Sequence, residues 1–393
     1  MMRTVVRVLE ASDLGEAFEL DREAFNQPKE VRERWLAHAE PERFHGVFAD
    51  GRLVALTQVH AFGQFFGGRS VPMGGVASVA TAPDQRGKGL ATRALLDALA
   101  AMRERGEVIS ALFPASTQLY RKLGWEVGGL YAFWRMPTAA LLRLPPAPEK
   151  RVRRVGAEDL PRLKQCYARY ARGVNGLLDR SDNLWSWRPN WEADVYAFAS
   201  LDENGDVDGY VYYHQKNRSD GFGYWIDVRD AIAENEAATR ALWRLVGTSA
   251  TQSEYVRFPG AQQQPLLLLL PDPQREPAGQ IHWMLRVVDV AGAIHERGFP
   301  PGLTARVELE IADEVCSWNA GRFVLEVADG RGHLAKGGRG TVRLGVGALA
   351  TLYTGFTSTH ALTAVGRIDG AAAELAALDA IFAGPAPFLL DEF

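Results

Sequence analysis

Between Val76 and Met102 the chain carries residues that could bind an anion. Gln85-Arg86-Gly87-Lys88-Gly89 joins two cations to two glycines. It follows an apolar run, Val76 to Thr81, readable as a buried strand stopped by Pro83-Asp84. Leu90, Ala94, Leu95, Ala98, Leu99 and Met102 then recur at helical spacing. A strand, a glycine loop and a helix start in succession aim backbone N–H groups at one spot. Glycine lets a ligand come close to the backbone, and Arg86 and Lys88 add positive charge, so the segment suits a pyrophosphate. The dinucleotide fingerprint needs three spaced glycines and the mononucleotide loop needs Gly-Lys-Ser/Thr. Neither occurs, because Lys88 is followed by Gly89 and Leu90.

Other chemistries lack their spacing. The 8 histidines form no His-Glu-x-x-His and no cluster, so no metal site is expected. Asp202-Glu-Asn-Gly-Asp-Val-Asp-Gly209 begins like a calcium loop. Its sixth position is Val207 and its twelfth Tyr213, which makes it a hairpin turn. The 2 cysteines, Cys166 and Cys316, make no disulfide framework and fit a reducing compartment. Cys166 falls on the apolar face of an expected helix and reads as core. A net charge of −4 argues against a general nucleic-acid binder and is compatible with cationic substrates. The opening Arg3-Thr-Val-Val-Arg-Val-Leu9 has no apolar signal core, and the proline-bounded run Leu266 to Leu270 is too short to span a bilayer. The expectation is a cytoplasmic protein without a membrane segment.

At 393 residues, 47% apolar and 23% charged, the chain has the size of two or three soluble domains. Val5 to Leu9 reads as a strand, and Ser12 or Asp13 as the cap of a helix carrying Leu14, Ala17, Phe18 and Ala24. Phe44 to Phe62 reads as a hairpin turned at Asp50-Gly51. Beyond the glycine loop and its helix come a strand at Val108 to Phe113, a helix Thr117 to Leu123 capped by Ser116 and ended by Gly124, and a strand region Trp125 to Met136. The order is β-α-β-β-β-α-β-α-β. Pro145 to Lys150 has the composition of a linker. Val152 to Leu160 then repeats Val6 to Leu14 without a gap, which implies two related units. A helix with Leu163, Cys166, Tyr167 and Tyr170 follows, and a hairpin Tyr196 to Tyr213 turned near Asn204-Gly205. In this second unit the strand Gly223 to Asp230 leads into Ala231-Ile-Ala-Glu-Asn-Glu-Ala, two glutamates where a pyrophosphate would sit. It reads as a non-catalytic copy, structural or substrate-shaping. From about Ile281 the composition shifts. A helix is expected over Ala291 to Gly298, strands over Ala305 to Ala312, Gly321 to Ala328 and Gly340 to Leu344, and a helix over Ala371 to Phe382.

Arg86-Gly-Lys-Gly89-Leu-Ala91 resembles the coenzyme A loop of the GNAT acetyltransferases, Arg/Gln-x-x-Gly-x-Gly/Ala, and Val79-Ala-Thr-Ala-Pro-Asp84 resembles their strand and turn. The order of the three units, the opening Trp283-x-Leu-Arg-x-x-Asp-Val of the third and the acidic-Glu-Phe ending resemble the Eis family of aminoglycoside N-acetyltransferases. The resemblance implies an α+β / α/β architecture: two tandem GNAT-type domains, the second degenerate, then a sterol-carrier-protein-like α+β domain. The expected limits are 1–143, 150–282 and 283–393, with the tail reaching the active site of the first domain. It implies acetyl-CoA as co-substrate, held by Val79, Ala80, Thr81, Arg86, Gly87, Lys88, Gly89, Leu90, Ala91, Thr92 and Ser116, and no metal.

Within that resemblance Tyr120, in Tyr-Arg-Lys-Leu-Gly-Trp, is the general acid. A phenol of ordinary pKa about 10 keeps its proton at neutral pH and can deliver it to sulfur. The general base is the α-carboxylate of Phe393, with Phe388-Leu-Leu390 as apolar anchors for the tail. Asp21, Phe25, Asn26, Trp35, Ser78 and Glu392 are the expected substrate residues. Glu23 lies in the same helix region. Asn26 stands where the family commonly has an acidic residue, and Ser78 where it can have a bulky aromatic. The family also implies a homo-oligomer, a hexamer. Three readings stay open: acetylation of small-molecule aminoglycosides, the same chemistry on protein lysines or polyamines, and a non-catalytic lipid-binding or scaffold protein.

Overall fold

The repeated segments fold the same way twice. In each, a short strand runs through a 3₁₀ turn into a helix, and an arginine pairs with an aspartate six residues on: Arg7 Nη1 with Asp13 Oδ2 at 2.6 Å, and Arg153 with Asp159 at 2.5 Å. Both aspartates also accept from a backbone N–H at the turn, of Glu10 and Gly156. Asp13 therefore closes the turn ahead of the helix, and neither it nor Ser12 makes a side-chain cap to the helix itself.

The computed structural model describes residues 4–189, 191, 194–219 and 221–393. The strands are β1 (Thr4–Val8), β2 (Phe44–Ala49), β3 (Arg52–Phe66), β4 (Arg69–Thr81), β5 (Ile109–Leu112), β6 (Glu126–Pro137), β7 (Arg151–Arg154), β8 (Leu178–Asp179), β9 (Tyr196–Leu201), β10 (Val207–Asn217), β11 (Tyr224–Ala233), β12 (Ser253–Pro259), β13 (Glu276–Val287), β14 (Ala305–Ala312), β15 (Gly321–Ala328), β16 (Arg331–Lys336), β17 (Val342–Gly345) and β18 (Ile368–Asp369). Among the described residues, the first thirteen form one sheet in the order β1-β2-β3-β4-β5-β13-β6-β12-β11-β10-β9-β7, with β8 against β3.

The two units are thus one continuous sheet, and the seam is β13. It runs antiparallel between β5 (Met284 opposite Leu112) and β6 (Trp283 opposite Gly129), while the far end of β6 pairs with β12 of the second unit (Arg257 opposite Arg135). The inner half of β13, Trp283 to Val287, is wholly buried, and its outer half, Gln280 to His282, is exposed. The boundary expected between 282 and 283 lies inside this strand.

Helix α1 (Leu14–Phe25) buries Ala17, Phe18, Leu20 and Asp21; α2 (Arg32–His38) adds Trp35, whose ring lies 5.6 Å from Phe18 and 5.4 Å from Phe44. Helix α3 (Leu90–Glu104) lays Leu95, Ala98, Leu99 and Met102 on the opposite face of the sheet, against Val59 and Val76. Helix α4 (Thr117–Lys122) follows β5. Ser116 stands at its N-cap position with extended backbone, but its side chain makes no cap hydrogen bond.

The third unit is a sheet β16-β15-β14-β17-β18. Strand β16 and the helix Val346–Thr354 were not anticipated; that helix is apolar nearly all round and fully buried, so it has no amphipathic stripe to read. Its Tyr353 ring lies 5.3 Å from Phe66 of the first unit, and the cores of the two units are one cluster.

Candidate active site

Strands β4 and β5 pair only from Met73 opposite Ile109 to Val76 opposite Leu112. Beyond that the limbs part. Strand β4 continues through Ala77 to Thr81 toward the glycine loop, and β5 gives way to Phe113 and α4. A bulge marks the fork: Gln58 faces Ala77 and Leu56 faces Ala80, so Ser78 and Val79 together oppose Thr57. Ser78 has φ 49°, which turns its neighbours' backbone groups off the ladder.

At the end of the β4 limb, Gly87 and Gly89 adopt φ 77° and 72°, left-handed values that glycine takes without strain. A Cβ on either would meet nothing within 4 Å, so it is backbone conformation that requires glycine there. Gly89 is the N-cap of α3 and makes no side-chain cap, and the first turn holds no acidic residue. The N–H groups of Leu90, Ala91 and Thr92 are therefore left for an outside acceptor. Arg86 and Lys88 are exposed beside them, Lys88 Nζ donating to Gln85 Oε1 at 2.8 Å. The second unit has closed the equivalent place. Its helix Glu236–Gly247 starts at Asn235, whose side chain accepts from Ala238 N–H, with Glu236 in the first turn and Glu234 paired to Arg169.

On the other limb, Tyr120 in α4 is 5% exposed and packs with Val59, Val76, Leu112 and Trp125. Burial pushes its phenol up to about 12. Below the fork lies the chain's last residue. The Phe393 ring sits 5.2 Å from Phe62 of β3 and 5.6 Å from Phe113, edge-on to both, over Gly75 of β4. Phe113 in turn meets Tyr131 of β6 at 5.4 Å. His60 stacks on Phe62 at 5.6 Å, and burial, helped by Arg43, lowers its imidazole to about 4.

Of the expected substrate residues, Asp21, Trp35 and Ser78 come together. Asp21 Oδ2 accepts from Gln27 Nε2 at 2.9 Å and Trp35 Nε1 at 3.1 Å. Burial pushes the Asp21 carboxyl up, with hydrogen bonds from Ser78, Trp35 and Gln27 acting the other way. Asn26, at φ 51°, ends α1 on the surface; Phe25 is 49% exposed beside it, and Glu392 is exposed. Phe62, Gly75, Phe113 and His60 were missed. A strand residue two places from another shares its face, so β3 could have been read as presenting His60 with Phe62, but no sequence signal joins them to residue 393.

Three family models match: an acetyltransferase (GNAT) domain over residues 5–128, a second over 176–287, and a sterol carrier protein domain over 290–390. An N-acetyltransferase of Streptomyces griseus is 30% identical over 391 residues, covering 91% of each chain. The N-acetyltransferase Eis of Mycobacterium tuberculosis is 25% identical over 81% of this chain and 79% of its own. A GCN5-related N-acetyltransferase of Kribbella flavida superposes with TM-score 0.88 at 33% identity, over 100% of this chain and 99% of that one. One from Anabaena variabilis reaches TM-score 0.94 at 28%, covering both chains fully. The fold and the forked site define a tandem GNAT protein with a sterol-carrier-like third unit.

The chain belongs to the GNAT N-acetyltransferases, with relatives of Eis type. GNAT domains use acetyl-CoA as co-substrate, and the reading as a non-catalytic scaffold gives way. No helix among the described residues is long and apolar enough to cross a membrane.

Proposed function

We propose that the protein transfers the acetyl group of acetyl-CoA directly to a primary amine, with the α-carboxylate of Phe393 as base and Tyr120 as acid. The observation that carries this reading is the seat of Phe393 against Phe62, Gly75 and Phe113, at the mouth of the β4/β5 fork. The pyrophosphate takes the N–H groups from Gly87 to Thr92, flanked by Arg86 and Lys88. The pantetheine arm runs along Val79, Ala80 and Thr81, and Ser116 lies where the fork opens. The amine nitrogen attacks the thioester carbonyl carbon, the C–S bond breaks, the carboxylate takes the ammonium proton, and Tyr120 donates to the departing sulfur. A phenol pushed up to about 12 is neutral throughout the physiological range and enters the reaction as a donor.

Within this reading the substrates are aminoglycosides. The carboxylates of Glu392 and Phe393 supply negative charge for the cationic amines; Asp21, Trp35 and Ser78 form one group beside β4, and Phe25 and Asn26 stand at the exposed end of α1. Turnover across a panel of aminoglycosides, polyamines and lysine peptides separates the amine classes.

One added C-terminal glycine tests the base. It moves the carboxylate by one residue, about 3.8 Å. Turnover is expected to fall by about 10²-fold or more with acetyl-CoA affinity kept; undiminished turnover overturns the assignment.

A further inference from the structure

Two residues before the end, Asp391 is wholly buried, and both its oxygens are held by the second unit. Arg180 Nε reaches Oδ2 at 2.9 Å, and Arg188 Nη1 reaches Oδ1 at 3.1 Å. Arg180 is itself buried. Its Nη1 pairs with Asp230 at 2.7 Å, Tyr210 donates to the same carboxylate at 2.9 Å, and the guanidinium lies 3.8 Å over the Tyr167 ring. Two arginines thus face two aspartates in an enclosed, charge-balanced group.

The mounting of Arg180 is rigid and tied to the first unit. Gly176 N–H donates to Phe65 O and Phe65 N–H to Leu177 O, each at 2.8 Å, and β8 pairs with Gly63 and Gln64. Arg180 therefore hangs from β3, the strand that carries Phe62. The tail lies between these parts. Phe388 N–H donates to Asn175 O, Leu389 N–H donates to Leu130 O, and Asn175 Nδ2 reaches Pro385 O. Phe388 and Leu390 enter the core of the second unit, and Leu389 the core shared by the first and third.

The Phe388 place by itself leaves the register open. An extended segment has a side-chain period of two, and a slip of two residues keeps the same face buried. Such a slip would put Leu390 in the place of Phe388, an exchange an apolar slot tolerates. It would also put Phe393 among two arginines and leave Asp391 unpaired in the core, which buried charge forbids. The slip would also drive Asp391 and Glu392 into the apolar places of Leu389 and Leu390, so the ion pairs and the anchors select one register together. Phe393 then follows on a tether of two residues, at most about 7 Å long.

We infer that Arg180 and Arg188, acting through Asp391, are positioning residues for the terminal carboxylate, so that the second unit is the clamp that places the base of the first. The inference rests on the proposed role of Phe393.

The test uses full-length Arg188→Gln and Asp391→Asn, which leave the Arg180–Asp230 pair in place. In both, kcat is expected to fall by about 10²-fold, the effect of a 1 Å misplacement, with KM for acetyl-CoA and the circular dichroism unchanged. Release of Phe393 from the native protein by carboxypeptidase A is expected to quicken at least tenfold, and Asp391→Glu to recover part of both effects. Wild-type kcat with slow release in both variants overturns the clamp. Failure of the base itself appears separately, as wild-type turnover in protein lacking Phe393; the release rates then still decide whether the arginines hold the tail.

Discussion

Gly75→Ala probes the seat of the terminal residue without touching a polar group. A Cβ there would lie 2.8 Å from two ring atoms of Phe62 and 2.9 Å from Phe393 Cε2. Carbons rest about 3.5–4.0 Å apart, so both rings must withdraw, by about 0.6–1.2 Å. Phe62 is fixed in a strand paired to β4 at Met73 and stacked on His60, whereas Phe393 ends the chain. Phe62 must tilt in place, while the Phe393 ring gives way further and carries the carboxylate with it. A displacement near 1 Å costs up to about 10² in turnover. The backbone at Gly75 lies outside the positive-φ positions, so alanine brings no strain. Overpacking costs about 1–3 kcal/mol, and the lower entropy of the unfolded chain returns about 0.4–1 kcal/mol. Stability should therefore fall by less than about 3 kcal/mol while kcat falls 10- to 100-fold. Steady-state kinetics with a thermal melt separates the two, and Phe62→Leu added to Gly75→Ala should return space and part of the rate. A Gly75→Ala enzyme with wild-type kcat would refute the reasoning.

Tyr120→Phe keeps the buried ring against Trp125 and removes only the phenol proton, so kcat should drop by about 10²-fold with the melting temperature within a few degrees; an unchanged rate returns Tyr120 to packing. His60 gives a stability signature in acid. Its folded value of about 4 lies below the ordinary 6.5, so the unfolded chain binds the extra proton, and stability is lost as pH falls from about 6.5 toward 4. The full span corresponds to about 3 kcal/mol, and the residual exposure of His60 trims it to about 2 kcal/mol. Urea melts at pH 7 and pH 4.5 should show that difference shrinking in His60→Leu; an equal acid loss in both proteins assigns it elsewhere.

The strand, the glycine loop and the helix start that follow one another here were legible because they are local. Glycine loop, bulged strand and helix start fall within residues 76 to 102, and each has its own period or turn chemistry. The repeat at Val152 was legible for the same reason, and so was the loss of the cradle, since Asn235 and Glu236 announce a self-capped helix. What stayed hidden is long-range. Nothing in Leu389-Leu-Asp-Glu-Phe393 says that Asp391 meets Arg180, 211 residues away. Strand β13 was hidden because its outer half is exposed and its inner half reads as the lead into the next helix. Gly75 looked like any glycine in a strand, since its purpose is the ring that fills the space above it.

Register gives the second unit its meaning. There the β10/β11 pair has the same one-residue bulge as β3/β4: Val211 faces Ala231 and Tyr213 faces Val228, as Leu56 faces Ala80 and Gln58 faces Ala77. Counted from these pairs, Arg229 stands in the place of Ser78, and Asp230 in the place of Val79. The strand that lines the donor fork in the first unit thus carries, one residue past the bulge, the counter-ion of Arg180 in the second. The second unit has both a self-capped helix at Asn235 and a buried aspartate at Asp230. In the second unit that strand position holds the arginine that grips the tail. The first unit, completed by β13 and reached by a tail that the second unit also grips, is not separable from that second copy.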